Sequence, residues 1–141
     1  MASNIQLSPS FNLLEMITSQ QATRFAINEQ FDPPQDVIEN LHNLCINILQ
    51  PLRDRLGKPV RISSGYRCPR LNKMIGGVSN SQHLTGHAAD IQNFEIGNEQ
   101  LFKAIIDMKL PFDQIINEFN FSWVHVSFDA NRTRGQILKI D

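Results

Sequence analysis

Six apolar residues, Val37, Leu41, Leu44, Ile48, Leu52 and Leu56, recur at three- and four-residue spacing through the middle of the chain. That period places them along one face of a helix and predicts a helical backbone from about Pro34 to Leu56. Asp32-Pro33-Pro34 marks a stop and a fresh start. Pro51 removes one backbone donor, so the helix is expected to kink or break near Leu49. Gly57 supplies a stop. A face this long must be covered, so whatever else the chain forms is expected to pack around it. Upstream, Phe11, Leu13, Leu14 and Met16 suggest a short docking helix, and a second is expected over Ser19 to Ala26.

The periodicity then changes. Pro59 to Ser64 reads as a strand, as do Ala88 to Gln92, Phe112 to Ile116 and Phe121 to Phe128. Asn98 to Lys109 reads as a helix with Leu101, Ile105 and Met108 on one side. Ser64 to Gly86 is a long polar, turn-rich stretch, and a loop of that length inside a small domain is usually functional. Helices first, then strands with one helix among them, indicate a mixed α+β domain.

The chain has 141 residues, 41% hydrophobic and 19% charged, enough apolar material for one ordinary core. One domain over 1–141 is expected, with the polar residues 1–10 loosely held and a monomer as the default. A formal net charge of -1 offers no basic field for nucleic acid or anionic lipid. No stretch approaches the ~18 apolar residues of a membrane span. Met1 to Ser10 lack a charged start followed by an apolar run, so the protein is expected to be made in the cytoplasm without a signal peptide. Cys45, on the apolar helix face, reads as a buried small hydrophobe, and two cysteines do not make a disulfide scaffold. Cys68 lies beside the candidate site without a cysteine partner.

Chemistry concentrates in two segments, Ser81-Gln82-His83-Leu84-Thr85-Gly86-His87-Ala88-Ala89-Asp90 and Ser122-Trp123-Val124-His125-Val126-Ser127. A catalytic zinc site takes three protein ligands from His, Asp or Glu and leaves a fourth position open. His83, Asp90 and His125 make such a set. Strand alternation puts Val124, Val126 and Phe128 toward a core and Trp123, His125 and Ser127 toward a cleft. Taken alone, His125 is more often a half-buried hydrogen-bonded histidine than a ligand, so the case rests on the combination. His87 is four residues from His83, but Leu84 and Gly86 do not fit a His-Glu-x-x-His helix, and His87 and Asp90 would point to opposite faces of a strand. His42 reads as a surface histidine.

Ser64-Gly65-Tyr66-Arg67, Ser81-x-His83-x6-Asp90 and Trp123-Val124-His125-Val126-Ser127 together resemble the zinc D-alanyl-D-alanine carboxypeptidases and related phage endolysins, one metallopeptidase family. The resemblance runs from about Phe11 to Phe128. It implies a hedgehog/DD-peptidase-like fold, a small antiparallel sheet with packed helices. It implies Zn2+ on His83, Asp90 and His125, and a role for Arg67 in binding the substrate peptide or polarising its carbonyl. A guanidinium suits a carboxylate or a developing oxyanion, and a surface salt bridge is the plainer reading of Arg67. Ser81 is expected to hydrogen-bond within the ligand loop or to substrate. Trp123 either walls the cleft or fills the core edge.

The resemblance further implies hydrolysis of peptide bonds in peptidoglycan stem peptides, by a carboxypeptidase or an endopeptidase, and a protein that acts on the cell wall. A bare catalytic domain fits a phage product. In several relatives an acid three positions before the last histidine serves as general base, where this chain has Ser122. Glu118 is the nearest upstream acid and can reach the metal if Asn117 to Asn120 form a turn feeding the strand, with a plain surface glutamate an equal reading; Asp129 is a poorer candidate. Without a competent base the domain would be a zinc-binding, non-hydrolytic cell-wall or structural module.

Overall fold

The computed structural model describes residues 4–141. Strand β1 (Gln6–Ser8) pairs antiparallel with β2 (Phe11–Asn12). Residues 6–8 are therefore ordered by pairing, against the loosely held segment that polar composition suggests. The reason is Leu7, 3% exposed, whose carbonyl accepts from His42 Nδ1 at 2.8 Å. The part of that expectation falling on residues 1–3 lies outside the described residues.

Helix α1 (Leu13–Ile17) starts at a capping box: Asn12 accepts from the Glu15 backbone and Glu15 accepts from the Asn12 backbone. Helix α2 (Gln20–Arg24) follows, capped by Ser19. The long helix forms as α3 (Gln35–Leu44) and α4 (Gln50–Leu56), joined by a π-helical segment over Cys45–Leu49. The π turn answers Pro51. A proline cannot donate to the carbonyl four residues back and its ring crowds that turn. One wider turn just before it absorbs both problems and lets the axis continue. Val37, Leu41, Leu44, Ile48, Leu49 and Leu52 are all buried. Gly57 closes the helix with φ 61°, the left-handed conformation that a side chain disfavours.

Strands β3 (Arg61–Ser64), β4 (Ala88–Gln92), β5 (Gln114–Glu118), β6 (Trp123–Ser127) and β7 (Gln136–Ile140) form one sheet in the order β3-β4-β6-β5-β7. The first four run antiparallel to their neighbours, whereas β7 joins β5 in parallel. The sheet is therefore mixed at its edge rather than wholly antiparallel, and β7 carries no apolar alternation by which periodicity could have announced it. The 64–86 stretch is less loop-like than its composition: it holds α5 (Pro69–Met74) and a 3-10 turn over Gln82–Thr85. Helix α6 (Asn98–Asp107) buries Leu101 and Ile105 and contacts β4 and β6. The fold is α+β, consistent with a DD-peptidase-like architecture. Ala89, Ile91, Ile115, Val124 and Val126 share a core with the long helix and α6, leaving the other sheet face free to carry a site.

Candidate metal centre

Register decides what the free face displays. Asp90 on β4 lies directly opposite His125 on β6, and Ile116 on β5 lies opposite His125 from the other side. Directly paired residues point to the same face. Glu118 pairs with Trp123 one step along the same face, so strand pairing alone brings Asp90, His125, Trp123 and Glu118 together. Ala88 and Ala89, just before Asp90, are both fully buried.

His83 arrives from the 3-10 turn. Its backbone N–H and Arg67 Nη2 both donate to Ser81 Oγ, at 3.2 and 3.5 Å. Its carbonyl accepts from the Arg67 backbone at 3.0 Å. The Gly65–Cys68 stretch is held in turn by Gln30, which is fully buried. Gln30 donates to the Ile17 and Tyr66 carbonyls and accepts from the Cys68 backbone, each at 2.8 Å. Gln30 carried no signal in the sequence: a lone glutamine in a polar segment gives no reason to expect burial.

One ligand atom from each of His83, Asp90 and His125 lies within 4.8 Å of the others. His83 Nε2 is 3.3 Å from Asp90 Oδ1, and His125 Nδ1 is 3.2 Å from the same oxygen. His83 and His125 are 2% and 8% exposed. Burial works against the Asp90 charge, but His83 and then the hydrogen bonds from His125 and His83 outweigh it, holding the carboxyl well below the usual carboxylate range. Two imidazoles and an ionised carboxylate converging in a cleft are the donor set of a zinc site with an open position, so these residues fit zinc.

Other groups face the same space, a cleft of about 1170 Å³. Glu118 Oε2 lies 3.9 Å from His125 Nδ1 and accepts from Trp123 Nε1 at 3.0 Å. Glu118 therefore stands at the end of β5, not in a turn, and its place is set by pairing with Trp123. The turn after it is unusual: Phe119, Asn120 and Phe121 all have positive φ, between 52° and 58°. Such residues cost of order 1–3 kcal/mol each when surroundings impose them. Here Asn117 Oδ1 accepts from Phe121 N at 2.6 Å, and Asn98 donates to the Phe121 carbonyl at 2.9 Å. Phe119 packs edge-on to Trp123 at 5.3 Å.

Arg67 is half-buried and lines the cleft, and its Nε has no hydrogen-bond partner among the described residues. Burial weakens its hold on the proton, while the Asp90 and Glu118 carboxylates oppose that effect. Arg67 thus belongs to the cleft rather than to a surface ion pair. His87 stands apart from the cluster, with Nδ1 2.6 Å from Thr85 Oγ1 and Nε2 3.9 Å from Asp129 Oδ2. Cys45 and Cys68 are both buried free thiols; burial pushes the Cys45 thiol up to about 12.

Residues 9–127 match the peptidase M15 family. That span holds every residue of the cluster. The chain belongs to the peptidase M15 family. A curated relative, the zinc D-Ala-D-Ala carboxypeptidase of Streptomyces albus G, is 46% identical over 44 residues. The aligned stretch is 30% of this chain and spans 17% of that protein. No helix among the described residues is long and apolar enough to cross a membrane. Strand β7, Arg132 and Arg134 lie beyond the span that matches the M15 family.

Proposed function

We propose that this M15 chain is a zinc peptidase that hydrolyses peptide bonds in peptidoglycan stem peptides, with the metal on His83, Asp90 and His125. The observation that carries the reading is the convergence of those three ligand atoms within 4.8 Å on the floor of a cleft that also holds Glu118 and Arg67. Zinc at such a centre supplies Lewis acidity and lowers the pKa of water to about 7.

The remaining work falls to the chain. In this reading Glu118, with an oxygen 3.9 Å from His125 Nδ1, takes a proton from water and returns it to the leaving amine. Trp123 Nε1–H fixes the Glu118 carboxylate and walls the cleft beside it. Arg67 offers its guanidinium to a substrate carboxylate or to the oxygen of the scissile carbonyl, where charge develops. Ser81 keeps Arg67 and the His83 backbone in register. A carboxylate beside the cluster supports a peptidase over a zinc-binding, non-hydrolytic wall module. The likeness to a D-Ala-D-Ala carboxypeptidase supports a wall peptide as substrate. The site of action is then the cell wall, reached by a protein acting as a monomer.

The test pairs elemental analysis with peptidoglycan digestion for the wild type, His125→Ala and Glu118→Gln. One zinc per chain, lost in His125→Ala, with digestion lost in both variants, is the expected result. Zinc without digestion by the wild type would move the function to a binding module, and absence of zinc would remove the metal centre.

A further inference from the structure

Gln82 sits directly before His83, and its amide has two different ends. Nε2 donates to Asp113 Oδ2 at 2.9 Å. An ionised carboxylate only accepts, so the amide nitrogen must face Asp113 and Oε1 must face away. Oε1 lies 3.5 Å from His125 Nε2. An amide oxygen also only accepts, so it suits a proton on the Nε2 that faces it, which is where the proton of a neutral ring stands once Nδ1 ligates a metal. His125 Nδ1 points toward the Asp90 oxygen 3.2 Å away, where the ligand atoms converge.

We propose that Gln82, Asp113 and Arg134 form a positioning chain that orients the His125 ring for metal, so that the segment beyond the M15 match completes the centre built within it. Asp113 is fully buried and is fixed from that segment. Arg134 grips it with two parallel bonds, Nε to Oδ1 at 2.7 Å and Nη2 to Oδ2 at 2.9 Å, and Arg132 Nε is 3.4 Å from Oδ2. The backbone N–H of Gln136 donates to the Asp113 carbonyl at 2.9 Å, and that of Gly135 to the Phe112 carbonyl at 3.1 Å. The segment is thus tied down directly after the arginine contact as β7 begins. Partners of this kind fix ring orientation in metal sites and change metal affinity by about 10–100-fold when removed.

The inference rests on the zinc centre proposed above, and the experiment separates the two. Wild type, Gln82→Met and Arg134→Met are compared by zinc competition against a chromophoric chelator, and by side-chain nitrogen NMR of His125 in the zinc-loaded protein. The wild type is expected to take up zinc and to show a His125 Nε2–H protected from exchange by Gln82. Gln82→Met, similar in volume but unable to accept, should speed that exchange and weaken zinc about 10–100-fold. Arg134→Met should weaken zinc less, in the same direction; its side chain is 35% exposed, so this variant keeps the test open should Gln82→Met fail to fold. Zinc affinity within twofold of wild type in both methionine variants, with an equally protected Nε2–H, would overturn the positioning chain and leave the zinc centre standing. A wild type that takes up no zinc would remove the centre and this inference with it.

Discussion

His83 donates its Nδ1–H to the carbonyl of Gly65, 18 residues earlier, at 2.7 Å. A carbonyl cannot donate, so this bond fixes a proton on Nδ1 and turns Nε2 toward Asp90, 3.3 Å away. Gly65 serves this bond because nothing larger fits. A Cβ built there would stand 2.2 Å from the Met16 carbonyl oxygen, which already accepts from Tyr66 N.

Gly65→Ala should therefore displace the acceptor of His83 and cost stability together. Overpacking against backbone typically costs 1–3 kcal/mol. Chemical denaturation and zinc titration of the same variant check this, with zinc affinity expected to fall about tenfold or more. Wild-type values for both would show that the Met16 segment yields freely.

Glu118→Gln should keep zinc and lose turnover. Loss of a general base typically lowers the rate by 10²–10⁴-fold. Trp123→Phe keeps the ring and removes the donor to Glu118, so a smaller fall, about tenfold, is expected. The check is steady-state hydrolysis of a stem-peptide substrate with metal content measured on the same samples. Full activity in Glu118→Gln would assign the base elsewhere.

Arg67→Lys keeps a positive charge but loses the planar fork. If Arg67 holds a substrate carboxylate, KM should rise about 10-fold or more with little change in kcat. If it acts on the scissile carbonyl, kcat should fall instead. Unchanged kinetics would return Arg67 to the plain structural role of bracing Ser81.

Acid should loosen the β5–β7 corner. Hydrogen bonds from Arg134, opposed by burial, hold Asp113 down to about 2, against about 3.9 for an unfolded aspartate. A carboxylate with a depressed pKa contributes stability that is present above the unfolded value and is lost as pH falls through the folded one. The contribution should be full above about pH 4 and gone near pH 2, worth about 1–2 kcal/mol once the exposure of Arg134 is allowed for. Urea unfolding between pH 5 and pH 2 measures it. Arg134→Met should flatten that slope, and an unchanged slope would show that the pair adds nothing.

Much of the fold is legible in residue order. The long helix follows from six apolar positions, and its end from Gly57. Strand β6 follows from the alternation of Val124, Val126 and Phe128 against Trp123, His125 and Ser127. His83, Asp90 and His125 could be picked out because metal ligands must be particular residue types and because three such residues stood beside small and polar neighbours. The resemblance around Ser64 to Arg67 added its weight to that set. Other features had no local cause to read. The π turn depends on how an otherwise continuous helix absorbs Pro51, and helix α5 hides in a stretch whose composition reads as loop.

The sequence by itself determined which side chains can do chemistry here, because donor type and the apolar period are properties of the residues alone. Only the tertiary structure decided how they meet. Strand register set Asp90 against His125 and Glu118 against Trp123, and a shift of one residue would have sent each to the opposite face. It also decided the supporting set, Gln30, Gln82, Asp113 and Arg134. Their bonds to the site join residues far apart in the chain, and a long-range hydrogen bond leaves no pattern in the order of residues that form it.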